Sequence, residues 1–293
     1  MRFWFIDSEA LNHAVTTLCR VMGVSRSGYY AWKDRTLSAH DLRDGELKAA
    51  ILAAYTENRS VYGVDRIQAA LGRKGIRTSK RRCARLMGEL GIEGVSKRKK
   101  RPKTTIVDCK ANHADDLVRQ NFRADGPNRA WFADITYVRT HEGWLYLAVV
   151  FDVFSRIVVG WSMSASLAAE LVDDALRMGI ARRRPEAGLL HHSDRGAQYT
   201  SVLLSKTLQR HGIIPSMGGV KAPWDNAVTE SLISTIKAEC TDIRLYGSKK
   251  EATLDIFDYI EVFYNKLRFH SALGMLSPME YEERYYQQMA MAG

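Results

Sequence analysis

Residues 131–162 contain three consecutive strand patterns, and this feature constrains the fold more than any other in the sequence. Trp131–Val138 alternates apolar and polar residues, while Trp144–Asp152 and Arg156–Ser162 are rich in Val, Leu, Tyr and Trp. Short turns of polar or small residues separate the three runs. Three strands joined by short turns predict a meander of neighbouring strands.

After this meander, helical and strand patterns alternate to the end of the chain. Such an order predicts an α/β fold with a mixed sheet and flanking helices. The predicted elements are helices at about 166–184, 199–211, 226–241 and 250–267, and strands Leu189–Ser193 and Ile213–Met217.

The first part of the chain has the pattern of helices alone. Val15–Met22 has apolar residues at helical spacing, and Ser25 can cap a second helix that runs to about Trp32. A helix, a glycine-containing turn and a second helix form a helix-turn-helix pattern. Helical hairpins without a DNA-binding role have the same pattern, so both interpretations stay open for this segment.

Residues 45–93 predict three more helices, at about 45–57, 63–72 and 78–90. The third helix begins at Thr78 or Ser79, and its basic side chains could contact phosphates or enter a DNA groove. A solvated helix face is the alternative. The first helix is expected to bury one stripe formed by Leu47, Ile51, Leu52 and Tyr55, and the basic residues of the third helix are Lys80, Arg81, Arg82 and Arg85.

The charge of the chain is divided unevenly. Residues 1–120 contain 24 Lys and Arg against 13 Asp and Glu, a balance of +11, while residues 121–293 carry −1. This asymmetry predicts a nucleic-acid-binding half joined to a near-neutral half, with an unpartnered basic surface as the alternative. Residues 94–124 are interpreted as a basic linker that can follow a DNA backbone, with contacts expected from Lys97, Arg98, Lys99, Lys100 and Arg101.

The sequence argues against membrane, zinc and disulfide classes. No apolar run approaches the roughly 18 residues that span a bilayer. Acidic residues appear too early for a signal peptide. The four cysteines are scattered without a C-x-x-C pair, which disfavours a zinc module and a disulfide framework and predicts a reducing cytosol.

Three carboxylates fall where chemistry is expected. Asp134 lies mid-strand on the face of Phe132 and Thr136, Asp194 follows a short strand, and Glu230 lies one turn into a helix. Strand ends and helix starts on one sheet edge can converge on a shared crevice. A carboxyl buried in an apolar strand is costly unless something compensates it, so Asp134 is the most unusual local feature.

Close carboxylates need a counter-charge. One pair about 4 Å apart costs roughly 4 kcal/mol at an effective dielectric near 20. Mg²⁺ prefers carboxylate oxygens and keeps positions open for phosphate, and two such ions can assist phosphodiester cleavage. Each residue also has a simpler interpretation: Asp134 as a hydrogen-bonded core group, Asp194 as a turn residue, and Glu230 as a first-turn acid favoured by the helix dipole.

Longer motifs surround these residues. They are His-His-Ser-Asp-Arg-Gly-Ala-Gln-Tyr-Thr-Ser at 191–201, Trp-Asp-Asn-Ala-Val-Thr-Glu-Ser at 224–231, and Tyr-Asn-Lys-Leu-Arg-Phe-His-Ser-Ala-Leu-Gly at 264–274 with Ser277-Pro278. Thirty-five residues separate Asp194 from Glu230. Over nearly its whole length the chain resembles the second-reading-frame product of the insertion sequence three family of bacterial transposases.

The resemblance implies a ribonuclease H-like, integrase-type catalytic core with a D-D-35-E triad. Asp134, Asp194 and Glu230 would then hold two Mg²⁺ ions, which Mn²⁺ can replace. The implied reaction is cleavage of one transposon strand and attack by its 3′-hydroxyl, without a covalent protein–DNA intermediate. Ser193 and Tyr199 are therefore not expected to be nucleophiles.

The resemblance also implies the binding partners. Lys237 resembles the family's contact to the transposon end, and its spacing puts it on the face of Glu230, about 10.5 Å further along the helix. Asn226, one turn before Glu230, could orient the carboxylate or touch DNA. Double-stranded DNA, a homo-oligomer in the active complex and a bacterial cytoplasmic, nucleoid-associated setting are expected. The expected organisation is a helix-turn-helix-like segment at 1–40, a helical DNA-binding subdomain at 41–93, the basic linker at 94–124 and the catalytic domain at 125–293.

Two departures from the family pattern leave alternatives open. The chain begins at its own Met1 and has no long heptad repeat, so we expect end recognition and dimerisation to depend partly on an upstream-frame protein or fused segment. Leu232-Ile233 replaces an aromatic pair, which should affect packing more than chemistry. A simple metal-dependent nuclease and a non-catalytic DNA-binding regulator of the fused transposase are the alternative functions.

Overall fold

Three short helices at the N-terminus enclose a small core of their own. A computed structural model describes residues 1–35, 38–96, 114–118, 124–218 and 227–292 of the chain. The predicted helix pair and its cap are confirmed, because Ser25 Oγ accepts a hydrogen bond from the Gly28 amide at 3.0 Å. The helices are α1 Arg2–Glu9, α2 Val15–Val21 and α3 Arg26–Lys33, and the core consists of Ile6, Leu18, Cys19 and Tyr29.

The next three helices are α4 Ala39–Glu57, α5 Val64–Arg73 and α6 Lys80–Glu89. We call them together the helical layer. Helix α4 begins earlier than predicted because Ser38 and Asp41 form a capping box at its start. Ser79, one of the two predicted caps of α6, accepts a hydrogen bond from the Arg82 amide at 3.2 Å.

The predicted buried stripe of α4 is wrong at one position. Leu47 and Ile51 are buried, but Leu52 is 46% exposed and Ala54 is fully buried instead. Residues four and seven positions after Leu47 share its face, whereas Leu52 is turned about 100° away from Ile51. Tyr55 is half-buried, and its hydroxyl donates to the Glu93 carbonyl at 2.9 Å.

The five strands form one mixed sheet in the order β3-β2-β1-β4-β5. The first three pair antiparallel as the predicted meander, while β4 pairs parallel to β1 and β5 parallel to β4. Gly143 takes a positive φ of 95° in the turn between β1 and β2, a conformation that favours glycine. The strands are β1 Ala130–Thr140, β2 Gly143–Asp152, β3 Val158–Ser164, β4 Leu190–Ser193 and β5 Ile214–Met217.

Helices cover both faces of the sheet. One face packs against α7 Ala169–Arg183 and α8 Val202–Arg210, and the other against α9 Ala227–Ile236 and α10 Lys249–Asp258. Helices α9 and α10 each continue into a π turn, at Lys237–Thr241 and at Tyr259–Tyr264. The ribonuclease H-like α/β fold expected from the motifs is therefore confirmed.

A last helix, α11 Pro278–Ala292, was not predicted. Its start has a clear physical basis, since Pro278 occupies the first helical position and Ser277 precedes it. The Ser277 amide donates to Glu280 at 2.8 Å, and the Glu280 amide donates to Ser277 Oγ at 3.3 Å. This reciprocal pair is a capping box.

The helical layer and the sheet share one apolar core. Buried residues of α4, α5 and α6 belong to the same cluster as those of β1, β2, α9 and α10. Tyr62 joins the two parts, because its hydroxyl donates to the Leu267 carbonyl at 3.2 Å and accepts from the Phe269 amide at 2.7 Å. The predicted subdomain 41–93 and the predicted catalytic domain 125–293 thus do not have separate apolar cores. Their assignment to DNA binding and to catalysis stays a prediction.

Within the described ranges, no helix is both long enough and apolar enough to cross a membrane. The predicted contacts at Lys97–Arg101 and at Asn226, and most of the predicted linker, lie outside the described residues.

Candidate active site

The parallel pairing of β1 with β4 brings two of the predicted carboxylates into one register. Ala130 lies opposite Leu190 and Phe132 opposite His192. The pairing ends at Phe132 and His192, two residues before Asp134 and Asp194, so both aspartates follow the paired segment toward the same end of the sheet. If the same offset continued, the two would lie about one strand spacing, or about 4.8 Å, apart.

The prediction that Asp134 is buried is wrong, because its side chain is half-buried. On one side β1 pairs with β2 at Val149, but on the other side β4 has already ended at Ser193. The carboxylate therefore stands where the sheet opens. Its Oδ1 accepts a hydrogen bond from the Ile135 amide at 2.8 Å.

Asp194 occupies a tight turn that fixes its carboxylate. Its Oδ1 accepts a hydrogen bond from the Gly196 amide at 2.9 Å. A Cβ at Gly196 would lie only 3.0 Å from that oxygen, so glycine suits the turn. Arg195 Nε donates to the Gly218 carbonyl at 2.8 Å and ties this turn to the end of β5. The turn interpretation of Asp194 is thus correct, and it is compatible with a binding role.

Glu230 lies in the first turn of α9 and is exposed. Leu232, Ile233 and Ile236 are buried in the shared core, and α9 packs against β1. The packing role expected for Leu232-Ile233 is confirmed. Among the described residues, no three His, Cys, Asp or Glu side chains lie close enough to hold a metal ion together.

Tyr199 links the two aspartates electrostatically. Its side chain is 3% exposed, and burial, followed by the negative charges of Asp134 and Asp194, raises the pKa of its phenol well above the ordinary value. Both carboxylates therefore act on one buried group. A phenol with so high a pKa stays neutral, which agrees with the expectation that Tyr199 is not a nucleophile.

The two histidines before Asp194 are both buried. His192 Nδ1 lies 3.0 Å from Ser216 Oγ of β5, and its ring centroid lies 4.8 Å from that of Phe132. It therefore both packs in the core and holds the strand that leads to Asp194. Burial lowers the pKa of His191 from 6.5 to about 4, so His191 is neutral at neutral pH.

Comparisons with known proteins identify the family. Residues 124–223 and 211–278 each match the integrase core domain, and residues 41–100 match the HTH-like domain. The chain is 36% identical over 289 residues to "Transposase InsF for insertion sequence IS3A" of Escherichia coli K12, a similarity that covers 97% of this chain and 99% of that protein. The chain belongs to the IS3 family of transposases.

Other relatives of this transposase include the "Insertion element IS600 uncharacterized 31 kDa protein" of Shigella sonnei, which is 40% identical over 277 residues. That similarity covers 93% of this chain and 100% of the relative. A simian T-cell lymphotropic virus intasome in complex with a PP2A regulatory subunit has a TM-score of 0.46 at 16% identity, over 80% of this chain and 73% of that one. As a member of the family with an integrase core, the transposase is a polynucleotidyl transferase.

The predicted DNA-contacting arginines of α6 are partly held within the transposase. Arg82 and Arg85 both pair with Asp44 of α4, at 2.6 and 2.5 Å. The hydrogen bond from Arg85, and then those from Arg82, lower the pKa of Asp44 to about 2. These guanidinium groups fasten α6 to α4, so their contact with DNA stays a prediction.

Arg81 is exposed, and no ion pair of Arg81 is present within the described part of the chain. Lys80 pairs with Asp65 at 2.6 Å. Lys237 begins the π turn after α9 and is half-buried. The expected end contact through Lys237 stays a prediction, as does the role of Glu230.

The sequence analysis missed the buried charges around Glu239 and Arg268. Glu239 lies in the π turn that follows α9, and Arg268 lies inside the motif at 264–274. Both side chains are almost fully buried, at 4% and 2% exposure. Both residues lie among other polar and charged residues, so no local pattern indicated that they are buried or that they meet.

Proposed function

We propose that this transposase cuts DNA at the ends of its own element and joins the freed 3′-hydroxyl to target DNA. Asp134, Asp194 and Glu230 are proposed as the ligands of two Mg²⁺ ions. The observation that supports the proposal most is that Asp134 and Asp194 follow the paired segments of β1 and β4 at the same end of an integrase-type sheet, where both charges act on Tyr199.

The donor chemistry fits a divalent cation. Asp134 and Asp194 are half-buried carboxylates about one strand spacing apart. Two such charges repel by about 3 kcal/mol at an effective dielectric near 20, and a bound cation removes this cost. Carboxylate oxygens are the donors that Mg²⁺ and Mn²⁺ prefer. When bound, the ions would lower the pKa of the attacking hydroxyl and offset charge on the leaving oxygen.

The residues of the chain would orient the reacting groups. Asp194 is fixed by the Gly196 amide, and Asp134 is held by β1, so neither carboxylate has to be ordered when substrate arrives. The neutral phenol of Tyr199 and the buried ring of His192 would exclude water behind the two aspartates. Glu230 would have to reach the site from the separate helix α9, so the position of that helix would decide how well the third ligand fits.

DNA is the proposed partner of the helical layer as well. Arg81, Lys237 and Asn226, with Arg82, Arg85 and the run Lys97–Arg101, are proposed as phosphate contacts on the grounds of charge and family resemblance. Two element ends must be brought together for joining, so an oligomer is proposed for the active complex. An upstream-frame protein is proposed as the further partner, and the bacterial cytoplasm as the setting.

The test compares Asp134→Asn, Asp194→Asn and Glu230→Gln with Glu170→Gln in Mg²⁺-dependent cleavage and joining of labelled element ends. Glu170 is the matched control, because it too is an exposed glutamate in the first turn of a helix. Loss of a ligand worth several kcal/mol should reduce the rate by about 10²–10³-fold, while Glu170→Gln should keep full activity.

Three results would contradict parts of the proposal. Normal joining by Glu230→Gln would remove Glu230 from the ligand set. Cleavage without joining would identify a nuclease. DNA binding with no cleavage in any metal would favour the non-catalytic regulator.

A further inference from the structure

A buried cluster of charges joins the end of the α9 segment to α5 and to the motif at 264–274. Arg268 Nε donates to Glu239 Oε2 and its Nη2 to Oε1, each at 2.5 Å. Tyr259 donates its hydroxyl to Oε2 at 3.0 Å, and Arg66 Nη1 lies 3.4 Å from Oε1. Each carboxylate oxygen thus accepts two donors, so Glu239 is held in one orientation.

This cluster is unusual for a core. Arg268 and Glu239 are almost fully buried, among Tyr62, Tyr259 and Tyr264. Removing two charges from water is expensive, and apolar side chains of similar size often stabilise a core as well or better. What a fully hydrogen-bonded pair adds is a defined geometry, since neither side chain can slide without leaving a buried charge unpaired.

Glu239 stands at the opposite end of the helical segment that carries Glu230. The two residues are nine positions apart, or about 13.5 Å along a helix. The π turn at Lys237–Thr241 lets Glu239, Cys240 and Thr241 all face the interior. A helix is stiff over this length, so fixing the orientation of Glu239 also fixes how α9 is rotated about its axis and therefore where Glu230 points.

The cluster also reaches the helical layer. Arg59, Arg66 and Arg73 are spaced seven residues apart, and each pairs with an acid of the catalytic part. Arg59 pairs with Asp255 and Asp258, and Arg73 with Glu280. Among the ion pairs of these three arginines within the described residues, only that of Arg66 has its acidic partner, Glu239, in the α9 segment.

We propose that Glu239 and Arg268 are positioning residues for Glu230, and that Arg66 couples this position to the docked helical layer. The inference rests on the proposed role of Glu230 as a metal ligand. DNA bound by the helical layer would then favour the arrangement of α9 that binds metal, and metal would favour DNA in return, because such coupling is reciprocal.

Arg66→Gln is the decisive variant, with Arg73→Gln as its matched control. Both arginines lie on α5 and pair across the same interface, but Arg73 pairs with α11 and not with the α9 segment. Glu239→Gln would leave Arg268 buried without its counter-charge and risks unfolding. Arg66 is only half-buried, so its loss should leave the fold intact.

Mn²⁺ affinity is measured on the full chain by titration calorimetry, with and without element-end DNA, together with amide exchange over residues 227–241. Arg66→Gln should weaken Mn²⁺ binding about 10-fold, as expected for groups that orient ligands, and should abolish the gain in affinity that DNA gives. It should also speed exchange in 227–241 and lower kcat for cleavage. Because the coupling is reciprocal, it should remove the gain in DNA affinity that Mn²⁺ gives and leave DNA affinity without metal unchanged. Arg66→Lys should restore part of each effect.

The outcomes separate the two proposals. Equal Mn²⁺ affinity and equal exchange in Arg66→Gln and Arg73→Gln would overturn the coupling, and so would an effect confined to thermal stability. If Glu230→Gln binds Mn²⁺ and cleaves normally, the metal site itself is wrongly assigned. If Glu230→Gln is inactive while Arg66→Gln resembles the wild type, the site stands and the coupling is refuted.

Discussion

The buried carboxyl group of Asp152 makes stability depend on pH in the direction opposite to most aspartates. Asp152 ends β2 and is fully buried. Its oxygens accept the amides of Asn128 at 2.6 Å and Phe154 at 2.8 Å. Burial nevertheless raises its pKa from 3.8 to about 6, and the charge of Glu282 on α11 adds to this.

Whether stability rises or falls with pH depends on which state, folded or unfolded, binds the Asp152 proton more tightly. With a pKa of about 6 in the folded state and 3.8 as the reference value, the folded protein holds this proton more strongly. The contribution of Asp152 to stability is therefore fully present below about pH 3.8 and is lost as the pH rises through about 6. At about 1.4 kcal/mol per pKa unit, the loss is about 3 kcal/mol.

The measurement must separate Asp152 from His191, which titrates in the same window with the opposite sign. Unfolding in urea is therefore followed from about pH 4 to pH 7 for the wild type and for Asp152→Asn, which keeps the shape but does not titrate. The stability advantage of the wild type over the variant should shrink by about 2–2.5 kcal/mol across this range, since the unfolded state already holds part of the proton at pH 4.

Asp174→Asn serves as the control, because Asp174 is an exposed carboxylate of α7. The difference in unfolding free energy between Asp174→Asn and the wild type should change little with pH. If the difference between the wild type and Asp152→Asn also stays constant from pH 4 to pH 7, then Asp152 does not titrate as its burial implies, and the reasoning is refuted.

Two further predictions concern stability. Gly160→Ala should destabilise the protein by about 2–3 kcal/mol in urea unfolding, because the new Cβ would lie 2.1 Å from the Ala175 carbonyl oxygen and would force α7 off the sheet. The control Gly72→Ala, on the open face of α5, should be neutral or stabilise the protein by up to about 1 kcal/mol. Equal effects of the two substitutions would argue against close packing at β3. The wild type should lose about 3 kcal/mol of unfolding free energy as the pH falls from about 6.5 to 4, because the unfolded state binds a proton at His191 more tightly than the folded state does. His191→Gln should not show this loss. Parallel curves of stability against pH for the two proteins would contradict the prediction.

The order of the elements could be predicted because local patterns determine them. The alternation in Trp131–Val138 and the Ser25 cap are short-range signals, and each element they predicted is present. The omission of α11 was avoidable. Ser277, Pro278 and Glu280 form a recognisable helix start, but these residues were interpreted only as part of a family motif.

The exposure of Asp134 could not be predicted in the same way. It depends on β4 ending at Ser193, and so on the pairing of two strands that lie some sixty residues apart in the chain. Leu52 shows a similar limit, because the neighbouring position Ala54 packs inward instead. Which side chains of a helix are buried depends on the surface it meets, and the sequence of the helix does not specify that surface.

The same limit applies to the buried pair of Glu239 and Arg268. Charged residues are expected at the surface unless a partner is known, and here the partner lies 29 positions away. The spacing and surrounding motifs of the three proposed ligand carboxylates made them recognisable in the sequence. The sequence did not predict the contacts behind them, because these join segments with no common local pattern.

The single apolar core shared by the helical layer and the sheet has a consequence for how such chains can evolve. Two domains with separate cores can be exchanged between relatives by recombination in the connecting segment. Here a transferred helical layer would bring one half of a hydrophobic contact and three arginines whose acidic partners belong to another sequence. If the helical layer contacts DNA as proposed, new specificity is therefore more accessible through substitutions on its exposed side than through exchange of the whole layer.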